Sequence, residues 1–154
     1  MSAEPISSLW ELAQINVARA LTSLDSLELA EFVSELDRVN ALADAAPGFV
    51  WRLQGASGSA LDLRVAGGPL LIVNLSVWTS IEALAGFTYR SAHAHLIGRR
   101  REWFEQPQGS PVALWWVPFG ERPSPSEGLT RLEELRAHGP SLRAFGFKSR
   151  HSPP

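Results

Sequence analysis

The sequence predicts an α+β fold, a ferredoxin-like β-α-β-β-α-β unit with one helix appended at its C-terminal end. Two observations carry this. A helix-start signal occurs three times in the same form, an oxygen-bearing side chain three residues before a Glu. Strand-like runs fill the intervals in the order that the split β-α-β unit requires. With 154 residues the chain has the length of one domain, 1–154, and no linker, repeat or low-complexity stretch divides it. The fold-bearing part is expected from about residue 9 to 147, with flexible tails.

The elements follow in order. Leu9 to Ala18 is the first strand. Asp25 and Glu28 then open a helix in which Leu29, Phe32, Val33, Leu36, Val39 and Ala43 recur at helical spacing, ended by Pro47 and Gly48. Gly48 to Leu53 is the second strand. Residues 54–68, with four glycines, are a long hairpin connection into which Leu61, Leu63 and Val65 extend a strand. Leu70 to Trp78 is the third strand. Thr79 and Glu82 open a helix that, with no proline on the way, is expected to run long or kinked from Ser80 to about Phe104. Pro111 to Val117 is the fourth strand. Ser124, Pro125 and Glu127 start the last helix, which carries Leu129, Leu132 and Leu135 and stops at Gly139 and Pro140.

Composition narrows the function classes. The absence of cysteine removes disulfide scaffolds, thiol nucleophiles and iron–sulfur sites together. A net charge of −2 gives no basic footprint for nucleic acid. No apolar run approaches a membrane span, and residues 1–10 lack a secretory pattern, so a cytoplasmic protein with no membrane partner is expected. Nucleotide-binding glycine motifs, the serine-hydrolase elbow and the zinc-protease signature are all missing.

Period-two reading separates the two faces of the sheet. Ala13, Ile15 and Val17 share a face, as do Phe49, Trp51 and Leu53, and Leu71, Val73, Leu75 and Val77. These apolar faces are expected to meet the helices. The opposite faces bring Gln14, Asn16, Arg52, Asn74 and Ser76 together with Leu12, Val50, Leu70 and Ile72. Water-facing strands carry Lys, Glu and Thr rather than Leu, Ile and amides. The mixed face therefore suits a covered small-molecule cavity, with orienting hydrogen bonds inside an apolar wall, or a homodimer interface. Arg52 has no acid on its own strand, so it is expected to bind a ligand carboxylate or enolate, or an acid from a partner subunit.

Six tryptophans are present. Trp51, Trp78 and Trp103 read as core. Trp115 and Trp116 are neighbours on a strand and must face opposite sides, so one of them enters the mixed face, and Trp115 stands as the candidate. His93 and His95, two apart, diverge on a helix and cannot grip one metal, so no metal site is expected. Tyr89 and His93, four apart, share a helix face and suit a proton-transfer pair or an axial haem ligand with a neighbour. Arg99, Arg100 and Arg101 form either a solvated helix face or an anion-binding rim.

The runs 12–18, 47–53, 73–78, 89–95 and 114–118 together resemble a bacterial domain-of-unknown-function family (domain of unknown function three-two-nine-one), itself similar to the dimeric α+β barrel superfamily of antibiotic-biosynthesis and haem-degrading monooxygenases. The resemblance implies two ferredoxin-like sheets joined in a dimeric α+β barrel, with a pocket between sheet and helices in each subunit. Against the haem-degrading members, Asn16 and His93 match the strand Asn and the His. Phe87 stands near the position of their Trp, and the spacing to the His differs.

Three functions follow as expectations. The first is a cofactor-free monooxygenase or isomerase acting on a hydrophobic or aromatic metabolite, with His93, Asn16 and Tyr89 catalytic and Arg52, Gln14, Asn74, Ser76, Trp115 and Phe87 binding substrate. The second is a haem-binding or haem-degrading protein with His93 as axial ligand. The third is a non-catalytic dimeric ligand-binding module.

Overall fold

The computed structural model describes residues 9–54, 70–90 and 99–154. Among the described residues four strands, β1 (Trp10–Arg19), β2 (Phe49–Arg52), β3 (Leu71–Trp78) and β4 (Val112–Pro118), form one sheet in the order β2-β3-β1-β4. All three pairings are antiparallel. The helices are α1 (Leu27–Asp44), α2 (Ile81–Arg90) and α3 (Pro125–His138), with a short 3₁₀ turn at Arg100–Glu102. This is the ferredoxin-like order with a helix appended.

Local chemistry accounts for the helix starts, with two corrections. At α3 the Ser124 hydroxyl accepts from the Glu127 amide at 3.1 Å, and Pro125 occupies the first turn, as expected. At α2 the cap is Ser80 rather than Thr79, its hydroxyl accepting from the Ala83 amide at 3.1 Å. At α1 the cap position is Ser26 rather than Asp25, and its side chain makes no capping bond; the Ser26 hydroxyl instead lies 2.7 Å from that of Thr22. Nor does one helix continue to Phe104. The chain turns at Arg99 and runs through the 3₁₀ turn, where the Trp103 carbonyl and the Glu105 amide bond back to the end of β1.

The sheet faces are covered the other way round from expectation. The apolar face, with Ala13, Ile15, Leu75, Val77 and Trp115, packs against Leu132 and Leu135 of α3 rather than against α1 and α2. The approach is close: a Cβ on Gly128 would lie 2.7 Å from the Ile15 Cδ1, so a larger residue there would make the Ile15 side chain shift. The mixed face lies under the two crossover helices. Leu12 joins Trp78, Ile81, Leu84, Leu114 and Phe145. Leu70 and Ile72 pack against Leu29, Phe32 and Val39 of α1 together with Trp103.

Two further expectations change. Strand β2 shifts register between Phe49 and Trp51, and this irregularity breaks simple alternation. Phe49 pairs with Trp78, on the Arg52 side, while Trp51 pairs with Val77. The residues offered for a homodimer interface, Leu12, Val50, Leu70 and Ile72, all pack within one chain's own clusters, Leu12 with no exposure. Val50, Leu70 and Ile72 keep part of their surface exposed.

The C-terminal segment is part of the fold. Phe145 exchanges two backbone hydrogen bonds with Leu114, at 2.8 and 2.9 Å, along β4. Trp116 donates its indole N–H to the His151 carbonyl at 2.8 Å, so the segment expected to be a free tail closes against the sheet.

Candidate functional site

Pairing in register builds the site. Gln14 lies directly opposite Ser76, and Asn16 opposite Asn74. Alternation turns all four side chains to the α1/α2 side of the sheet. The Gln14 Nε2 donates to Asn74 Oδ1 and, at 2.8 Å, to Ser76 Oγ. The Asn16 Nδ2 donates to Gln14 Oε1 at 3.2 Å and to Asn74 Oδ1 at 3.4 Å. The Trp78 indole N–H donates to the same Ser76 Oγ at 2.9 Å. Four uncharged polar side chains thus form one connected patch, with Gln14 and Ser76 buried.

Above this patch is a cavity of about 340 Å³, lined by residues of the mixed sheet face and of both crossover helices. That is within the usual size range of small-molecule pockets. One wall is aromatic. The Trp78 ring stacks on Phe87 at 5.3 Å between centroids and meets Phe49 edge-on at 5.4 Å. The far side is made by Phe32 and Phe104, edge-on at 4.9 Å. Near the mouth the Tyr89 ring, 61% exposed, packs edge-on against Phe147 at 5.6 Å. No carboxylate is among the described residues that line the cavity.

The expected site residues divide into three groups. Gln14, Asn16, Asn74, Ser76, Arg52, Phe87 and Tyr89 all border this one cavity. His93 lies outside the described residues, as does His95. Trp115 is placed elsewhere: it is wholly buried on the α3 side of the sheet, with its indole N–H unpaired and Arg131 5.8 Å from its ring. Trp116 is the member of the pair that turns to the mixed face, and there it joins Leu12, Leu114 and Phe145.

Arg52 also departs from its expected role. Its Nε donates to Asp44 Oδ1 at 2.8 Å and its Nη2 to Asp44 Oδ2 at 3.2 Å. The acid comes from the last turn of α1, eight residues earlier in the same chain, so neither a ligand nor a partner subunit is needed to balance the guanidinium. The fork also fixes the end of α1 against β2.

The arginine run divides as well. Arg99 bonds both Glu31 of α1 and Glu102, and its guanidinium lies 4.7 Å above the Trp103 ring. Its bonds to Glu102 and Glu31 push its pKa upward. Arg100 is half-buried and borders the cavity.

Among the cavity residues that sequence reading missed are Phe49, Trp78 and Asn40. Phe49 was hidden by the register shift in β2. Trp78 was legible as an apolar anchor but not as a wall. Asn40 carried a signal, an amide four residues after Leu36 within the apolar stripe of α1.

Among the described lining residues, Tyr89 is the one whose side chain is a known haem ligand type, and it sits at the mouth. Among the described residues no group of three His, Asp or Glu could hold a metal, and no helix is long and apolar enough to cross a membrane.

Comparison with known proteins gives the following. A search of the curated proteins finds no match. A conserved protein from Methanosarcina mazei Go1 aligns with a TM-score of 0.51 and 8% identity, covering 73% of this chain and 95% of that one. SnoaB, a cofactor-independent oxygenase from Streptomyces nogalater, aligns with a TM-score of 0.45 and 20% identity, over 75% of this chain and 96% of its own. A protein provisionally named an antibiotic biosynthesis monooxygenase, from Nitrosomonas europaea, aligns at 0.43 with 15% identity, over 73% and 90%. The first of these likenesses bears on the fold, the same mixed sheet-and-helix architecture. The model of the family described as "Domain of unknown function (DUF3291)" matches residues 11–154, and the chain belongs to that family.

Proposed function

We propose that the chain is a cofactor-independent enzyme of the monooxygenase or isomerase type, acting on a hydrophobic or aromatic small molecule in the cavity between the sheet and α1/α2. The observation that carries this is the Gln14–Asn16–Asn74–Ser76 patch at the floor of an apolar chamber. Fixed amide dipoles in a water-poor site favour an oxyanion as it develops and cost no reorganisation at that moment. A substrate ketone held there loses an α-proton and becomes an enolate whose oxygen the patch stabilises.

Two outcomes then diverge. Reprotonation at another atom is isomerisation. Reaction of the enolate carbon with O₂ gives a hydroperoxide, and loss of water from it leaves a new carbonyl. A CH₂ group and O₂ become C=O and H₂O, with no other reductant. His93, four residues after Tyr89 in the sequence, is assigned the proton transfer, and Tyr89 gates the mouth.

The test uses 2-tetralone, a bicyclic ketone that enolises readily. The purified protein should accelerate exchange of its C1 hydrogens for deuterium from D₂O. Asn74→Leu, which removes the free amide N–H of the patch, should cut that acceleration more than tenfold, about 1.4 kcal/mol of transition-state stabilisation, and His93→Ala should abolish it. Oxygen uptake in the same mixture separates the monooxygenase from the isomerase. Binding of 2-tetralone without accelerated exchange would reduce the protein to a ligand-binding module. A Soret shift on adding hemin, with no exchange activity, would favour the haem reading.

A further inference from the structure

Asn40 is a polar side chain that the sheet patch does not use. It lies on α1 between Val39 and Ala43 in the buried stripe, is 8% exposed, and borders the cavity. It makes no hydrogen bond with any described residue, and its amide atoms, unlike the enclosed Trp115 indole N–H, stay open to the cavity. A leucine at this position would continue the stripe and pack with Leu36 and Phe32. An amide there has hydrogen-bonding capacity that only the cavity's contents, water or a ligand, can meet.

The floor offers complementary groups. Within the patch, Asn16 Nδ2, Gln14 Nε2, Gln14 Oε1 and Asn74 Oδ1 are engaged with one another. The Asn16 Oδ1 and the Asn74 Nδ2 have no partner among the described residues, and Ser76 Oγ already accepts two bonds, which leaves its O–H to donate. The floor therefore presents one acceptor and at least two donors. The helix side presents one amide, and aromatic rings lie between.

We propose that Asn40 is a substrate-positioning residue, the helix-side member of a two-sided hydrogen-bonding site. Its ligand is a flat, largely apolar molecule with polar groups on two opposite edges, one for the sheet amides and one for Asn40. This rests on the cavity being a small-molecule site and adds the second point of attachment, which sets the orientation of a bound ring. A one-ended ligand enters in several orientations. A two-ended one is held in a single orientation, with the same atom always over Asn16.

Two probes separate the cases: 1-naphthol, with one hydroxyl, and 1,5-dihydroxynaphthalene, with hydroxyls on opposite edges. Affinity is read from tryptophan fluorescence, since Trp78 stands in the wall. The wild-type chain should bind the diol at least tenfold more tightly than 1-naphthol. Asn40→Leu, a near-isosteric change, should erase that preference while 1-naphthol affinity stays within about threefold. Asn40→Ala serves the same purpose if the leucine variant does not fold. Equal diol preference in wild type and variant would overturn the role of Asn40 and leave the cavity reading intact. Failure of both probes to bind the wild-type chain, with fluorescence unchanged up to their solubility, would overturn the cavity reading and this inference with it.

Discussion

The Arg52 guanidinium on β2 grips Asp44 at the end of α1 through two hydrogen bonds, at 2.8 and 3.2 Å, with Arg52 12% exposed and Asp44 47%. Exposed ion pairs contribute about 0.2–1 kcal/mol, and a forked pair with one partner largely covered belongs near the top of that range. A double-mutant cycle with Arg52→Met and Asp44→Ala should return a coupling of about 1 kcal/mol in urea unfolding, weaker in high salt. Coupling near zero would show that the fork has no part in holding α1 to the sheet.

Ser76 is the meeting point of two donors, Gln14 Nε2 and Trp78 Nε1. Ser76→Ala removes one oxygen and leaves the indole N–H without its partner inside the protein, while Gln14 keeps Asn74. A buried unsatisfied donor costs about 1–3 kcal/mol. The urea midpoint should fall accordingly, with the circular dichroism spectrum unchanged. An unaltered midpoint would mean that water takes the place of the hydroxyl.

Much of this architecture could be read from the residues, and the failures have physical causes. Alternation along β1 and β3 correctly grouped Gln14, Asn16, Asn74 and Ser76 because both strands run without a bulge. The same rule failed on β2, where the register shift turned Phe49 to the Arg52 side. Which face the helices would cover was misjudged for a different reason. Both faces are buried, one under α1 and α2 and the other under α3, and apolar content alone does not say which helix lies where. The cap at α1 went wrong because the three-residue spacing to Glu28 selects Asp25, whereas the helix begins one residue later, at Leu27 after Ser26. The Arg52–Asp44 pair was missed because it joins a helix end to a strand across the turn of Pro47 and Gly48. Only the three-dimensional course of that turn brings the two together.

Trp115 gives a third test. Its indole N–H is buried and unpaired on the α3 side of the sheet, remote from the cavity. Trp115→Phe removes an unsatisfied donor, which is favourable, and leaves a small void, which is not. The two effects oppose, so stability should move by no more than about 1 kcal/mol, a fraction of the 3–5 kcal/mol typical of truncating a buried Trp to Ala. Binding of 1,5-dihydroxynaphthalene should be unchanged. A large loss of binding in a stable Trp115→Phe variant would return this residue to the site.

The last prediction concerns the C-terminal closure. Arg143 holds Glu134 of α3 with bonds of 2.9 and 3.0 Å, and next to it the buried Phe145 seals the edge of β4. The hydrogen bonds from Arg143, and then the positive charges of Arg143, Arg131 and His138, hold the Glu134 carboxyl below its ordinary range. A depressed folded-state pKa contributes stability that is complete above the unfolded-state pKa, about 4.3 for Glu. It is lost as pH falls through the lower folded-state value. Arg143→Gln should therefore lower the unfolding midpoint at neutral pH. The gap to wild type should close as acid protonates Glu134 in both proteins. Followed by NMR of its side-chain carboxyl carbon, the Glu134 titration should move upward in the variant. Coincident titration curves would show that the pair contributes nothing to the pH dependence, and that Phe145 and its backbone bonds to Leu114 close the edge without help.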